Sequence, residues 1–529
     1  VSRQAGPQAR RNPEFRQFLD YREPLTRIPP HRVMAINRGQ RSKMLRVTVT
    51  VPFEELLDHV LALASGKGHR FAEFLRRVVA DALRRLVLPA VDRQIRERLT
   101  RRAERHAIEV FVENLRSLLM AKPVRGRTVL AVQPGYRTGC KTVVIDPEGN
   151  LLAETILYPF QPQKKRDEAR QALSALIAEH RVETIAIGNG TGCREVEALV
   201  SETIEPHERD VLYAVVSEAG AAAWADTQAA RDEFPRLEPA ILAAVSIGRR
   251  LQDPLAELVK IDPRAIGVGL YQHDVDQGRL ERALADILTS CVAAVGADAN
   301  TASPHMLRWV PGLGPDQVAS LLARRAETPI AARADLADLP AWDEQTFLQA
   351  AGFLWVHGPN PLDATRIHPE RYADAERLLA HLGYRPDDLS APEAAPTVRE
   401  ALTGLLLEEA ARTLDMPLPV LQGIVAALLR PGYDPREDHH GPILRRRLRR
   451  IEDLAPGDWV KGTVRNVVDF GAFVDIGLKE EGLVHVSEFS RRYVRNPLKF
   501  LHVGDVVRAR IVKVDTQKHR ISLSLVPAK

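Results

Sequence analysis

The period of the hydrophobic pattern changes several times along the chain, and each change predicts a different kind of structure. From about residue 70 to residue 120, apolar side chains recur at spacings of three and four, as at Phe71, Phe74 and Val78, which is typical of an amphipathic helix. Pro89 is expected to divide this run into two helices, because proline lacks the amide proton that a helix interior uses.

A set of short apolar runs separated by Pro and Gly turns follows, and it predicts an α/β layer. The predicted strands span residues 128–133, 141–145, 151–157, 184–187 and 211–216. One helix is expected after the third strand and another from about Cys193. The resulting order, βββαβα with a further strand and more helix behind it, suits an RNase H-like domain.

Strict alternation appears near the C-terminus and predicts a small β-barrel. Five strands are expected, at residues 459–467, 472–476, 482–486, 506–514 and 520–525. Five short strands in one unit suit an OB-fold. Since Val474 and Ile476 share the core side of the second strand, Phe473 is expected on the outer side. In the last strand, the outer side is expected to carry Arg520, Ser522 and Ser524.

Helical periodicity dominates the middle of the chain, and residues 302–355 are expected to form tandem helix-hairpin-helix units. In the first unit, Gly312, Leu313 and Gly314 make a short turn before a helix. Free backbone N–H groups and the helix dipole at such a turn stabilise a bound phosphate. The corresponding turn of the second unit contains Asp343, which would repel phosphate, so phosphate binding is predicted for the first turn alone.

Length and composition indicate several domains. The chain has 529 residues, of which 45% are apolar, 27% charged and 5% aromatic. This length exceeds what one hydrophobic core can organise, and the composition favours helix. The predicted fold class is multidomain and mainly α, with an α/β RNase H-like domain, tandem helix-hairpin-helix units and a C-terminal β-barrel of the OB-fold. The expected boundaries are 1–125 for an N-terminal helical region, 126–235 for the RNase H-like domain, 236–300 for a helical connector, 301–358 for the helix-hairpin-helix units, 359–450 for a helical region with a basic linker and 454–526 for the barrel.

Several classes of protein are disfavoured by what the sequence lacks. No stretch approaches the roughly 20 unbroken apolar residues of a membrane span, and the N-terminus has no apolar signal core. Cys140, Cys193 and Cys291 lie far apart without a CxxC pair, so neither a zinc site nor a disulfide framework is expected. These features predict a cytoplasmic protein with no membrane partner and no cofactor. The polar stretch after Val1 leads us to expect a further segment upstream.

The charge of the chain indicates a polyanionic partner. The formal net charge is +5, and arginine is concentrated in places. The cluster from Arg93 to Arg105 lies on the outer face of the predicted helix. We interpret that cluster as a solvated helix face rather than as a dedicated phosphate track.

Several long stretches of the chain are more specific than periodicity. AVQPGYRTGCK, AIGNGTGCREVE and VVSEAG resemble the YqgF nuclease-fold domain of the Tex family of transcription accessory proteins, and IGRRLQDPLAELVKIDPRAIGVGLYQHDVDQ resembles the most characteristic stretch of that family. GTVRNVVDFGAFVDIG and EGLVHVSEFS resemble an S1-type RNA-binding domain. The resemblance runs from about residue 15 to the end. It implies a role in transcription or RNA handling, and an N-terminal helical unit that is truncated in this sequence.

Nucleases of the YqgF fold need clustered carboxylates, because two divalent ions must stabilise the attacking and the leaving oxygen. The first carboxylate belongs at the end of the first strand, where this chain has Gln133. Glu195, Glu218 and Asp253 are the remaining candidates. Because the leading acid is replaced by a neutral side chain, we expect the domain to bind or scaffold rather than to cleave. A Mg²⁺-dependent nuclease that uses those three acids is the alternative.

The outer face of the barrel combines aromatic rings and cations. Alternation and position add Lys461 and Arg465 to it, and the S1 resemblance implies a binding face of Phe470, Phe473, His485, Asp515 and Arg520. Rings stack on unpaired bases, at about 1–3 kcal/mol per base, while cations follow the phosphates. The predicted function is that of a transcription accessory factor that binds single-stranded RNA, with DNA as a further ligand. A scaffold that docks RNA polymerase or the ribosome is a third class.

Overall fold

The computed structural model describes most of the chain. The described residues are 2–4, 14–64, 70–207, 210–267, 269–439, 441–447, 454–468, 471–478, 481–490, 494, 500–501, 504–515 and 520–527. They form two compact units, one of Val1–Val112 with Val268–Ala283 and one of Glu113–Gly267 with Leu284–Lys529. The elements described below confirm the predicted fold class.

Helices dominate the first unit. Its elements are β1 (Ser2–Gln4), α1 (Pro30–Arg41), β2 (Leu45–Val47), α2 (Phe53–Ala64), α3 (Ala72–Ala82) and most of α4 (Leu88–Leu119). Strands β1 and β2 pair antiparallel. Phe15 and Phe18 pack with Ile36 of α1 and Leu45 of β2 in a small core, so the segments on both sides of α1 are held against it.

The helical run around Pro89 differs from the prediction in two respects. A π-helical stretch, Leu83–Val87, joins α3 to α4, and Pro89 is the second residue of α4. Ala82 and Leu88, at the two ends of the π-helical stretch, both have right-handed helical backbone angles, so no coil separates α3 from α4. The apolar side chains Phe71, Phe74 and Val78 do not form a core, because they are 57%, 63% and 47% exposed.

The second unit contains a five-stranded mixed sheet. Its strands are β3 (Val129–Gln133), β4 (Cys140–Ile145), β5 (Leu151–Leu157), β6 (Thr184–Gly188) and β7 (Leu212–Val216), in the order β5-β4-β3-β6-β7. β4 runs antiparallel to both β3 and β5, whereas β6 and β7 run parallel to β3. The carboxyl ends of β3, β6 and β7 therefore lie at one edge of the sheet.

Helices cover both faces of this sheet. They are α5 (Arg166–Glu179), α6 (Cys193–Ile204), α7 (Ala221–Ala225), α8 (Gln228–Glu233), α9 (Pro239–Gln252), α10 (Pro254–Leu258) and α11 (Pro263–Ile266). Successive β3 side chains point to opposite faces. Leu130 and Val132 belong to the core shared with α5 and α6, and Val129 and Ala131 belong to the core shared with α9. The domain is thus a three-layer α/β/α structure.

Two short helical hairpins follow. Their elements are α12 (Gln277–Val295), β8 (Ala297–Asp298), α13 (Pro304–Leu307), α14 (Pro315–Glu327), α15 (Glu344–Ala350) and β9 (Leu354–Trp355). The first predicted hairpin lies between α13 and α14, and the second lies between a 3-10 helix, Arg333–Asp338, and α15. Strands β8 and β9 form a small parallel pair that joins the two ends of this region.

A further helical region precedes the barrel. It contains α16 (Tyr372–His381), α17 (Ala395–Thr403), α18 (Leu407–Thr413) and α19 (Leu418–Leu429). The other 3-10 helices among the described residues, in this region and elsewhere, are Arg16–Phe18, Ala351–Phe353, Pro361–Ala364, Pro369–Arg371, Pro386–Leu389, Pro435–Asp438 and Val486–Glu488. The core of the helical region includes Leu378, Val398 and Leu421. Within the described ranges, no single helix could span a membrane by length and apolar character, although α18 and α19 meet that requirement as a pair bent by 113°.

The C-terminal strands close into a barrel. They are β10 (Trp459–Val468), β11 (Gly471–Asp475), β12 (Gly482–His485), β13 (Val506–Asp515) and β14 (Arg520–Ser524), in the order β10-β11-β12-β14-β13. Val474, Ile476, Ile521 and Leu523 lie in its core, as alternation predicts. The expectation for Ser524 was wrong, because this residue is fully buried. Its hydroxyl is satisfied at the end of the strand by hydrogen bonds with the backbone of Val526 (3.1 and 3.3 Å).

Candidate nucleic-acid interface

One row of outward-facing side chains crosses the barrel at Phe473. In the strand register, Phe473 of β11 lies opposite Leu483 of β12, and Leu483 lies opposite Ser522 of β14. Ser522 in turn lies opposite Lys513 of β13. Phe473 and Leu483 are half-buried, whereas Ser522 and Lys513 are exposed. The row therefore places an aromatic ring and a cation on the same surface.

His485 lies on the same side of β12, two residues after Leu483, and it is exposed. Its Nδ1 atom accepts a hydrogen bond from the amide of Ser487 (3.3 Å) and lies 2.8 Å from the hydroxyl of that residue. A ring that uses Nδ1 as an acceptor carries its proton on Nε2 in the neutral form. His485 can thus offer both a ring face and an N–H donor.

Arg520 extends this surface along β14. It lies two residues before Ser522, is exposed, and stands opposite Asp515 at the end of the β13–β14 ladder. Phe470, the remaining aromatic residue of the predicted set, lies outside the described residues. We define the aromatic face of the barrel by the residues that share this outward side: Phe473, Leu483, His485, Lys513, Asp515, Arg520 and Ser522.

Lys461 lies apart from the aromatic face. Its register partner is Arg508 of β13, and it precedes Asn466, the partner of Phe473, by five residues along β10. At the rise of a β-strand this separation is roughly 16 Å. Lys461 instead neighbours Trp459, whose partly exposed ring lies 5.3 Å from the Arg508 guanidinium. Alternation within β10 could have identified this second basic and aromatic patch, but the sequence reasoning missed it.

Arg465 is held in ion pairs on the outer side of the barrel, and its predicted contact with RNA stays a prediction. A β-bulge in β10 interrupts the alternation at this residue. Its guanidinium donates a hydrogen bond to Asp475 (2.8 Å), and Asp475 also lies 3.7 Å from the guanidinium groups of Arg194 and Arg445. Burial alone would raise the pKa of Asp475, but Arg465 and Arg445 hold it below its usual range. Arg465 therefore takes part in a buried ion cluster.

The same cluster attaches the barrel to the RNase H-like domain. Glu197 of α6 is fully buried and pairs with Arg194 (2.5 Å) and Arg445 (3.7 Å). Burial raises the pKa of Glu197, and the two arginines oppose that rise. The backbone of Arg445 also exchanges two hydrogen bonds with Tyr213 of β7 (2.7 and 2.8 Å), which extends the sheet by one bridge. The segment before the barrel is thus fixed at the sheet edge.

The crevice at the carboxyl ends of β3, β6 and β7 contains Gln133, which ends β3, and the nuclease candidate Glu218, which follows β7. The Glu218 carboxylate lies so close to Gly188 and Gly190 that a Cβ atom at either glycine would collide with it. Burial raises the pKa of Glu218, and the charge of Arg250 opposes that rise. The acid is therefore packed against a glycine turn, and its Oε2 atom is buried without a hydrogen-bond partner among the described residues.

Glu195 lies in the first turn of α6. Its carboxylate faces the Tyr136 hydroxyl, and this interaction raises the pKa of Tyr136. Tyr136 also covers Gly192, which has a φ of +97°. A Cβ atom at Gly192 would lie 3.3 Å from the Tyr136 ring. Glu195 thus helps to hold the loop after β3 against the start of α6.

Asp253, the third nuclease candidate, forms a helix cap and pairs with two arginines instead of facing an acidic crevice. It caps α10 through the amide of Ala256 (3.1 Å). Its two oxygens accept hydrogen bonds from Arg436 (2.6 and 3.0 Å) and from Arg125 (2.9 Å). Within the part of the chain that the structure describes, no three His, Cys, Asp or Glu side chains are grouped so that they could hold a metal ion.

The Gly312–Gly314 turn has a clear packing role. Gly312 has a φ of +86°, and a Cβ atom there would approach α15 to 2.8 Å. The amide of Leu313 donates to a carbonyl within the turn (3.2 Å), and the amide of Gly314 donates to the Gln317 side chain (3.1 Å). Pro315 has no amide proton. The amides of Leu313 and Gly314 are thus already bonded within the protein. Phosphate binding at this turn stays a prediction.

An RNase H-like domain, helical hairpins and a barrel with an aromatic, cationic outer face define a multidomain protein of the nucleic-acid-binding class. Family models match most of the chain. The matches are the Tex central region-like domain (residues 2–111), the Tex protein YqgF-like domain (127–252), the helix-hairpin-helix motif (292–355), an HHH domain (360–436) and the S1 RNA binding domain (453–525). The chain belongs to the Tex family.

Curated relatives agree with this assignment. The chain is 41% identical to the uncharacterized protein YdcI of Bacillus subtilis, with 97% of this chain and 71% of YdcI aligned. It is 40% identical to Protein tex of Bordetella pertussis (97% and 66%) and 37% identical to the transcriptional accessory protein Tex of Neisseria gonorrhoeae (97% and 67%). The chain thus spans about two thirds of the length of these relatives.

Proposed function

We propose that this protein is a transcription accessory factor that binds single-stranded RNA through the aromatic face of its S1 domain. The observation that carries the proposal is the shared outward side of Phe473, His485, Lys513 and Arg520. The names of the Tex relatives support a role beside the transcription machinery. We place this role in the cytoplasm, with RNA polymerase or the ribosome as the candidate protein partner.

The preference for a single strand follows from the chemistry of the face. Bases in an RNA duplex are stacked on each other, and the grooves of the duplex do not offer their faces to a protein ring. Phe473 and His485 can stack only on bases that are unpaired. Single-stranded DNA offers the same faces but lacks the 2′-hydroxyl, so any discrimination against it must come from polar groups such as the His485 Nε2 donor.

Removing both rings is expected to weaken RNA binding at least tenfold. In the variant Phe473→Ala with His485→Ala, one stacking contact of about 1–3 kcal/mol per base is lost at each position, and 1.4 kcal/mol is a factor of ten in affinity. Fluorescence anisotropy with labelled single-stranded RNA, double-stranded RNA and single-stranded DNA at fixed salt measures the effect. Single-stranded RNA should bind most tightly to the intact chain.

A matched control removes one phenyl ring and one imidazole elsewhere. Phe74 and His59 are both exposed and lie outside the S1 domain, so Phe74→Ala with His59→Ala should leave the affinity unchanged. Equal losses in the two double variants, or tighter binding of duplex RNA than of single strands, would disprove the assignment of the aromatic face.

We further propose that the YqgF-like domain does not cleave nucleic acid. Three observations support this proposal: Glu218 is packed against a glycine turn, Glu195 faces the Tyr136 hydroxyl, and Asp253 is paired with two arginines. Gln133 stands where a first carboxylate would be needed, and a neutral amide cannot offset the charge of two divalent ions. The domain then serves as the platform on which the S1 domain is fixed.

Single-stranded RNA incubated with the protein and Mg²⁺ is therefore expected to stay intact, and Glu218→Gln should give the same gel pattern as the intact chain. Restoring the acid in Gln133→Asp should not produce fragments, because Asp253 remains held by Arg436 and Arg125. Fragments that require Mg²⁺ and disappear in Glu218→Gln would refute the non-catalytic assignment.

A further inference from the structure

An arginine-lined cleft lies within the first unit, on α4 and the start of α12. Its volume is about 580 Å³. Four of its arginines, Arg98, Arg101, Arg102 and Arg105, follow one stripe of α4 at spacings of three and four, and Arg279 joins them from α12. Residues that are nearly 180 positions apart in the sequence thus converge on one basic cleft.

Most of these cations have no ion-pair partner among the described residues, although the carboxylate of Glu109 also lines the cleft. Arg101 bonds to Glu97 one turn away. For Arg98, Arg102, Arg105 and Arg279, no carboxylate oxygen lies within 4.0 Å among the described residues, and all four side chains are exposed. Guanidinium groups that share a cleft repel one another, and this repulsion is reduced when an anion enters.

The charge is also concentrated in relation to the rest of the chain. Six arginines and two glutamates lie between residues 93 and 105, which is a surplus of four positive charges. The surplus for all 529 residues is five. An evenly solvated helix face would alternate the two signs, as stabilising pairs at spacings of three and four do. Residues 93–105 instead carry mainly positive charge, and α12 adds Arg279 to the same cleft.

The extent of the array favours a chain of phosphates over a single one. Arg98 and Arg105 are seven residues apart, which is about 10 Å along a helix axis. One phosphate is held by one or two guanidinium forks, so an array of this length exceeds what a free phosphate needs. Ile108 and Val112 add an apolar wall beside the cations. Ribose and base edges can lie against such a wall while the phosphates meet the arginines.

We infer that this cleft binds the phosphate backbone of a nucleic acid strand, as a second site that is separate from the aromatic face. The site goes beyond the proposed function, since it needs no stacking and reads no sequence. Its occupant can be a single strand or a duplex, because both present the same phosphates. Its contribution to affinity must be ionic and therefore sensitive to salt.

The test is a salt titration of affinity for a long single-stranded RNA and for a DNA duplex, using Arg98→Gln with Arg102→Gln and Arg105→Gln. Each lost phosphate contact lowers the slope of log affinity against log salt by about 0.7 for a single strand and 0.9 for a duplex. The triple variant should therefore reduce the slope by about 2 for the single strand and by about 2.7 for the duplex. The control is Arg22→Gln with Arg27→Gln and Arg46→Gln, which removes the same charge from exposed positions outside the cleft.

The outcomes separate this site from the aromatic face. The control should change the slope by less than half as much, and Phe473→Ala with His485→Ala should lower affinity at an unchanged slope. Equal slopes for the intact chain and the cleft variant on both ligands would overturn the inference, as would equal reductions in the two triple variants. Unchanged thermal unfolding of the cleft variant at low salt confirms that the loss is one of binding, since removing repelling charges should not destabilise the unit.

Discussion

Replacing Arg333 with methionine is expected to lower the free energy of unfolding by roughly 3–5 kcal/mol, the cost of removing one partner from a buried charged network. The side chain is 1% exposed and lies between the helical hairpins and the region that follows them. Methionine fills a similar volume but donates no hydrogen bond, so the effect reports the lost polar contacts rather than a cavity.

The guanidinium of Arg333 donates five hydrogen bonds. Its acceptors are the carbonyl oxygens of Leu354 (2.9 Å), Ile367 (2.8 Å), Asp363 (2.8 Å) and Thr365 (2.9 Å) and the hydroxyl of Tyr372 (2.8 Å). Buried acceptors that lose their donor each cost about 1–3 kcal/mol. Arg333→Lys should give an intermediate loss, because an ammonium group has three donors and cannot match the planar fork.

Urea unfolding followed by circular dichroism measures this effect. Arg399→Met is the control, since Arg399 is exposed on α17 of the neighbouring region. The Arg333 variant should show a clearly lower midpoint than both the intact chain and the control. A midpoint equal to that of the control would mean that the network contributes nothing to stability.

The second large effect is expected for Arg436→Met. Arg436 is fully buried and bonds to Asp253 (2.6 and 3.0 Å) and to Asp434 (2.8, 3.0 and 3.1 Å). Without it, two carboxylates that are largely buried keep Arg125 as their remaining cation. Breaking a buried ion pair from one side costs about 3–5 kcal/mol.

The pH dependence of this loss has a defined sign. Burial alone would raise the pKa values of Asp253 and Asp434, but hydrogen bonds and charge from Arg436 hold both below the usual range. In the intact chain they therefore add stability above the unfolded pKa of about 4, and this stability is lost as the pH falls through the folded pKa values. In Arg436→Met burial dominates, so the folded pKa values rise and the ionised carboxylates destabilise the fold at neutral pH.

The difference in stability between the intact chain and Arg436→Met is thus expected to be largest at pH 7 and to shrink towards pH 4. Thermal unfolding at both pH values tests this. Arg430→Met serves as the control, because Arg430 pairs with Asp438 on the surface, where ion pairs contribute little. A deficit that is the same at both pH values would show that lost packing, and not unpaired charge, causes it.

Local patterns predicted the strands well. All five sheet strands and all five barrel strands agree with their expected spans to within one residue at each end. The reason is that period-two burial is a property of each strand by itself. Arg465 shows the limit of this argument, because its pairing with Asp475 belongs to a cluster that includes Arg194 and Arg445, which are distant in the sequence.

Contacts between distant segments could not be predicted. Asp253 resembles a candidate metal ligand in the sequence, and its commitment to Arg436 depends on a residue 183 positions away. Arg279 likewise joins the arginines of α4 only in the folded chain. The residue types were visible in both cases, but their partners are set by packing between helices.

The most direct test of RNA binding by the aromatic face is photo-crosslinking of the intact chain to single-stranded RNA that contains 4-thiouridine, followed by mass spectrometry of tryptic peptides. Phe473 lies in the peptide 466–479 and His485 in the peptide 480–491. We expect crosslinked nucleotides on both peptides and their loss in Phe473→Ala with His485→Ala. Crosslinks confined to other peptides would show that the bases bind elsewhere and would contradict the assignment.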